Sequence, residues 1–175
     1  MPVNVQITPF ERELDFEKAL ADLLTNHGWD SNIINNPSEA DLVKNWADII
    51  YNNNRDVTRL GDHPLTESEM GQIMKQVNAC RTPYEKSKFI NGGLVCIKRD
   101  NPEDTFNCGR EVYLKIFDAR EIRAGQSTYQ IVRQPRFETQ HPLASTRRGY
   151  VMLLINGMPV VHIELKRSGV DVTQA

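Results

Sequence analysis

Long apolar runs are missing from this chain. None approaches the ~20 residues that a bilayer span requires, and the longest aliphatic stretch lies near residues 151–155. Residues 1–10 lack the cationic start and apolar core of an export signal. A cytoplasmic protein with no membrane association is therefore expected. Cysteine is scarce too: Cys80, Cys96 and Cys108 stand 16 and 12 positions apart, with no CxxC and no nearby histidine. That argues against a disulfide framework and a zinc site and predicts reduced thiols. Excess charge of one sign is also absent. Twenty-one Lys and Arg against 23 Asp and Glu leave a net −2, which excludes a uniformly basic nucleic-acid protein and an acidic disordered tail. No GxxxxGK loop, repeat or low-complexity tract occurs, so the chain carries no visible nucleotide motor.

What is present is ordinary in amount and uneven in placement. A hydrophobic content of 39% and a length of 175 residues fit one globular domain of ~100–200 residues. Residues 1–119 hold 13 Lys/Arg against 19 Asp/Glu, whereas residues 120–167 hold eight against three. A basic face of Arg120, Arg123, Arg133, Arg136, Arg147, Arg148, Lys166 and Arg167 would attract a phosphate backbone locally, or would simply be a solvated surface.

The first half carries helix-start signals, each a Ser or Thr followed three residues later by a carboxylate. Thr8, with Pro9 and Glu11, leads into a stripe of Phe16, Leu20, Leu23 and Leu24 that Gly28 would cap in a left-handed conformation. Ser38 with Asp41 opens a helix through Trp46 and Ile50 that stops in the turn Asn52, Asn53, Asn54. Thr66 with Glu69, and Thr82 with Glu85, open two more, the last ending near Gly92 and Gly93. After residue 92 the period changes. β-type runs occur at 94–98, 111–117, 129–134, 150–155 and 160–166. Helices over residues 1–92 followed by strands over residues 93–167 argue an α+β fold, and Asn156-Gly157 marks a hairpin between the last two strands. The apolar character of both hairpin strands predicts that they lie inside a sheet covered on both faces.

Chemistry is concentrated in His162-Ile163-Glu164-Leu165-Lys166. Period two puts Glu164 and Lys166 on one strand face. A carboxylate oxygen suits a hard cation such as Mg²⁺, and an ammonium beside it suits orienting water and offsetting phosphorane charge. The spacing alone has little specificity, since about 0.5 chance E-x-K matches are expected in a chain of this composition, and a salt-bridged strand end is the simpler reading. His162 shares the face, as a group behind the site or a hydrogen-bonded buried histidine. His63 and His141 lie in loops without ligand partners at metal spacing, His27 complements a helix dipole, and Trp29 and Trp46 read as core aromatics.

Context narrows this. Asp15-Phe16-Glu17 through His27-Gly28-Trp29, Asn36-Pro37-Ser38 with Asn45-Trp46, Pro64 to Glu69, Lys98-Arg99-Asp100-Asn101, Tyr129 to Gln134, and Leu153 to Gly157 with Pro159 and Ile163-Glu164-Leu165-Lys166 form one pattern. In it the chain resembles, over essentially its whole length, the N-terminal nuclease region of the R (restriction, HsdR) subunit of type I restriction enzymes. The resemblance implies a restriction-endonuclease-like PD-(D/E)xK fold: an α/β three-layer, mixed β-sheet flanked by helices, cutting double-stranded DNA with Mg²⁺. It also implies that residues 1–175 are a fragment of a larger subunit, partnered by methylation and specificity subunits, with ATP used only in motor domains not present here. Little activity is expected from the fragment, because family members carry further Gln and Tyr positions on a helix after the E-x-K strand.

Carried over by residue, Glu164 and Lys166 match the catalytic and metal positions. Glu17 matches an acidic position on the first helix that can lie beside the metal, its plainer reading being an exposed helical carboxylate. Arg147, Arg148 and Arg167 flank the site as DNA-phosphate contacts. One departure stands out: the family places Asp where this chain has Tyr150, and no Asp or Glu occurs from Thr139 through Ile163. A neutral phenol is a poor Mg²⁺ ligand, so cleavage should be impaired. The alternative is a non-catalytic DNA-binding or assembly module of the same lineage. A two-residue turn at Asn156-Gly157 would put Tyr150 and Glu164 on opposite sheet faces, whereas a three-residue loop, or a bulge of equal effect, would put them on one; the latter parity is expected.

Overall fold

A computed structural model describes residues 13–117, 119–123, 125, 127–137 and 150–164. The fold is α+β, in the order α1 (Glu13–Asn26), β1 (Ile34–Asn35), α2 (Glu39–Asn53), α3 (Glu67–Ala79), α4 (Pro83–Gly92), β2 (Leu94–Lys98), β3 (Glu111–Lys115), α5 (Ala119–Arg123), β4 (Tyr129–Arg133), β5 (Tyr150–Ile155) and β6 (Met158–Glu164). A mixed four-stranded sheet runs β1-β4-β5-β6, and β2-β3 form a two-stranded sheet. Contacts divide the chain into two units: residues 1–39, 129–155 and 159–175, and residues 40–128 with 156–158. α4 and β2 lie in the second unit, and α1 and β1 lie with β4 and β5 in the first.

In the first unit, β1 runs parallel to β4 through Ile34 and Val132, and β4 runs antiparallel to β5, with Ile131 opposite Leu153 and Arg133 opposite Val151. The core is Ala21, Ile131, Val151 and Leu153, with Phe16, Leu20, Leu24, Trp29, Ile33 and Ile163 packed on it. The inward face of α1 thus combines Phe16, Leu20 and Leu24 with Glu17 and Ala21, one turn apart along the helix. Leu23, expected in the stripe, is exposed, since at ~100° per residue it falls outside the arc those residues occupy. Gly28 does adopt a left-handed backbone, with φ 93°. The Thr8 start signal lies outside the described residues.

In the second unit two predicted capping boxes are present: Thr66 and Glu69 open α3, and Thr82 and Glu85 open α4. The backbone N–H groups of Thr82 and Arg81 hold the Glu85 carboxyl below its ordinary pKa. Gly93 ends α4 at φ 68°, where a Cβ would meet the Phe117 carbonyl at 2.3 Å. The polar turn after α2 is not all solvated: Asn54 is buried, donating to the Ile50 and Lys115 carbonyls and accepting from the Lys115 N–H at 2.7 Å. Gln72 on α3 pairs in the same way with the N–H and C=O of Lys98, and Gln76 donates to the Cys96 carbonyl. Side-chain amides therefore bond the outward backbone groups of β2 and β3 where another strand would otherwise sit.

Among the described residues Arg99 is the largest fully buried side chain. It donates to Glu69 at 2.5 Å, to Asp104 at 2.9 Å and to the carbonyls of His63 and Pro64. Burial pushes the Asp104 carboxyl up, but the hydrogen bonds from Arg99 and Asn107 outweigh it and hold Asp104 below its usual value. The three cysteines are free thiols. No helix among the described residues is long and apolar enough to cross a membrane.

Candidate functional site

β4 and β5 are buried on both faces: Ile131 and Leu153 look toward α1, and Val132, Met152 and Leu154 on the other face are also buried. β6 is not. It closes one end of the four-stranded order, and Val160 and Val161 are 37% and 44% exposed. Among the described residues the hairpin's second strand is therefore an edge strand rather than an interior one; its valines reflect β-propensity, which edge and central strands share. His162 is exposed, which corrects its reading as a buried histidine.

The hairpin connection is two residues long. Asn156 and Gly157 both have positive φ, 51° and 79°, the signature of a type I′ turn. The three-residue loop is thus replaced by a tight turn, which at the tip would pair Ile155 with Met158. Further along, Ile163 packs on the cluster of Ala21, Ile131, Val151 and Leu153, whose β5 members are of the other parity. A shift of one residue within β6, as a bulge produces, would reconcile the two. Strand alternation would then turn the next residue, Glu164, to the face opposite α1. Glu164 is half-buried at the last described position of β6. Tyr150 opens β5, one residue before Val151, and its side chain lies outside the described residues. Lys166, Arg147, Arg148 and Arg167 lie outside them as well.

Glu17 does not match its reading as an exposed helical carboxylate. Its side chain is fully buried. Arg133 reaches Oε2 through Nε at 3.3 Å and Nη2 at 3.2 Å, and Gln134 Nε2 lies 3.2 Å from the same oxygen. Both donors come from the end of β4, where Gln134 holds φ 51°, a left-handed backbone that a non-glycine residue adopts at a cost of ~1–2 kcal/mol. This arrangement was not anticipated from the sequence; its only local trace is a polar Arg-Gln pair ending an apolar β run.

Magnesium is a poor fit to this donor set. Among the described residues no three His, Cys, Asp or Glu side chains gather as metal ligands. The Glu17 oxygens receive N–H groups, and position 150 offers a phenol. Mg²⁺ requires near-octahedral oxygen coordination and is usually anchored by one or two carboxylates. Glu164 alone is a thin anchor.

The chain matches the family described as Type I restriction enzyme R protein N terminus (HSDR_N) over residues 10–175. It belongs to that family. Among curated proteins it is 29% identical over 166 residues to the type I restriction enzyme SsaAORF53P endonuclease subunit of Staphylococcus saprophyticus, covering 95% of this chain and 16% of that protein. It is 25% identical to the SauMSSORF170P endonuclease subunit of Staphylococcus aureus, with the same coverage. The chain thus spans 16% of the length of the curated relatives it matches. As a member of the R protein N-terminus family it carries Glu164 and Lys166 at E-x-K spacing, with Tyr150 at the start of β5.

Proposed function

We propose that this chain is the restriction domain of a type I restriction enzyme R subunit, acting on double-stranded DNA with its cleavage step impaired. The observation that supports this reading is that β5 and β6 are hydrogen-bonded neighbours, Tyr150 opening the one and Glu164 closing the other; the position of the missing carboxylate would then adjoin the one that remains. Glu164 and Lys166 are the catalytic pair. Mg²⁺ would supply Lewis-acid stabilisation of the phosphoryl oxygens in a member with both carboxylates. Arg147, Arg148 and Arg167 contact DNA phosphates. Methylation and specificity subunits would choose the DNA, and ATP would serve motor domains elsewhere in the subunit. The cytoplasm, where the chromosome is, is the compartment.

The test is conversion of supercoiled plasmid in Mg²⁺ or Mn²⁺ by the 175-residue chain, or its motor-containing parent, and by Tyr150→Asp. Nicking gained only by Tyr150→Asp is the expected result. Equal cleavage by both proteins would overturn the impaired reading, and cleavage that survives Lys166→Ala would remove the E-x-K pair from the chemistry. The non-catalytic module of the same lineage is favoured specifically by the pairing of Glu17 with Arg133; it expects no cleavage from either protein.

A further inference from the structure

Glu17 is a fully buried carboxylate whose oxygens take N–H groups from Arg133 and Gln134. To coordinate a cation it would have to give up the guanidinium and leave Arg133 uncompensated, which argues for a different role. Arg133 is 23% exposed at its side chain. Its Nε and Nη2 are turned to Glu17, which leaves Nη1 outside that ion pair.

Three residues on, Arg136 is exposed and tied down similarly. Its Nε donates to the Asn36 carbonyl at 2.9 Å and its backbone N–H to the Pro37 carbonyl at 2.8 Å. The isolated bridge between Ser38 and Arg136 continues the parallel β1–β4 pairing to this point. Two guanidiniums are therefore held through Nε at one strand end, and the left-handed Gln134 between them interrupts the alternation that would send them to opposite faces. Surface arginines normally lose much rotamer freedom on binding, and fixing the fork beforehand removes some of that cost.

We infer that Glu17 is a positioning residue that holds Arg133 outward, and that Arg133 and Arg136 form a phosphodiester-binding site for duplex DNA at the end of β4. The inference rests on the DNA-acting reading above, but it requires neither metal nor cleavage. Phosphate accepts two N–H groups from an arginine fork, and such contacts fix register on a duplex without reading its sequence.

The experiment measures binding of a short fluorescent duplex to the 175-residue chain by anisotropy, in EDTA, across a KCl series. Each neutralised phosphate contributes about −0.9 to the slope of log K against log salt. Arg133→Ala and Arg136→Ala should each flatten that slope by about one unit. Glu17→Gln should weaken binding, and Glu17→Gln combined with Arg133→Ala should bind no more weakly than Arg133→Ala alone.

A slope unchanged in both arginine variants, while the wild type binds, overturns this site and leaves the DNA reading standing. Absence of wild-type binding at low salt overturns both. Glu17→Gln that binds DNA normally but loses Mn²⁺ uptake, measured by calorimetry, returns Glu17 to a metal role and overturns the inference. Displacement of DNA by inorganic phosphate well beyond chloride at equal ionic strength marks a free-phosphate site and overturns it too. Arg136 is exposed, so Arg136→Ala reads the site even if Arg133→Ala unfolds.

Discussion

Arg99 and Glu69 face each other at 2.5 Å with both side chains wholly withdrawn from solvent. The same carboxylate accepts the Thr66 N–H as the third residue of α3 and the N–H groups of Asp100 and Asn101 after β2. One acid thus joins a helix start to a strand end. Glu69→Gln should cost about 3–5 kcal/mol, because a buried guanidinium loses its main counter-charge. Urea unfolding followed by circular dichroism checks this; an effect under about 1 kcal/mol would mean that Asp104 alone suffices.

Asp104 makes the same network acid-sensitive. Its folded pKa lies below the usual value, which for an unfolded chain is ~3.9. Its contribution is therefore complete above ~pH 4 and is lost as pH falls through the lower folded value. Asp104→Asn should reduce stability at neutral pH by about 1.5–3 kcal/mol. Below ~pH 4 the gap to the wild type should narrow, as read from unfolding midpoints at several pH values.

Gly157 is required twice over, by its φ of 79° and by the Trp46 Cα that a Cβ would approach to 2.9 Å. Gly157→Ala should lose about 1–2 kcal/mol from the left-handed backbone alone, with the contact adding to it. Gly157→Asn separates the two causes, because asparagine tolerates that backbone but brings the same Cβ. Comparing their thermal midpoints measures the steric contribution.

On β6, Val161 is 44% exposed at the end of the sheet order. Val161→Lys should change stability by no more than about 0.5 kcal/mol while slowing aggregation on heating, since a charged edge opposes pairing with another chain. Light scattering during a melt tests it; faster aggregation would show that this strand is covered in solution.

What could be read from the chain beforehand follows the range of the interactions concerned. The starts of α3 and α4 depend on residues three apart, Thr66 with Glu69 and Thr82 with Glu85, so sequence spacing sufficed. The strand at 94–98 was bounded correctly because Gly93 and the alternation of Val95 and Ile97 are local. β1 has two residues and α5 five, too few for a period to register. The burial of Glu17 depends on Arg133, 116 positions away, and no window along the chain contains both. β6 looked interior because valine favours interior and edge strands alike, and position within a sheet is decided by topology. At the candidate site the engagement of Glu17 needed the folded chain.

The amides of Gln72, Gln76 and Asn54 occupy outward backbone groups of Cys96, Lys98 and Lys115, and so oppose templated growth of that small sheet at those positions. An incoming chain would have to displace bonds already made within the molecule before gaining any of its own. Strand addition at those positions is thus discouraged by three uncharged side chains that belong to a helix and a turn.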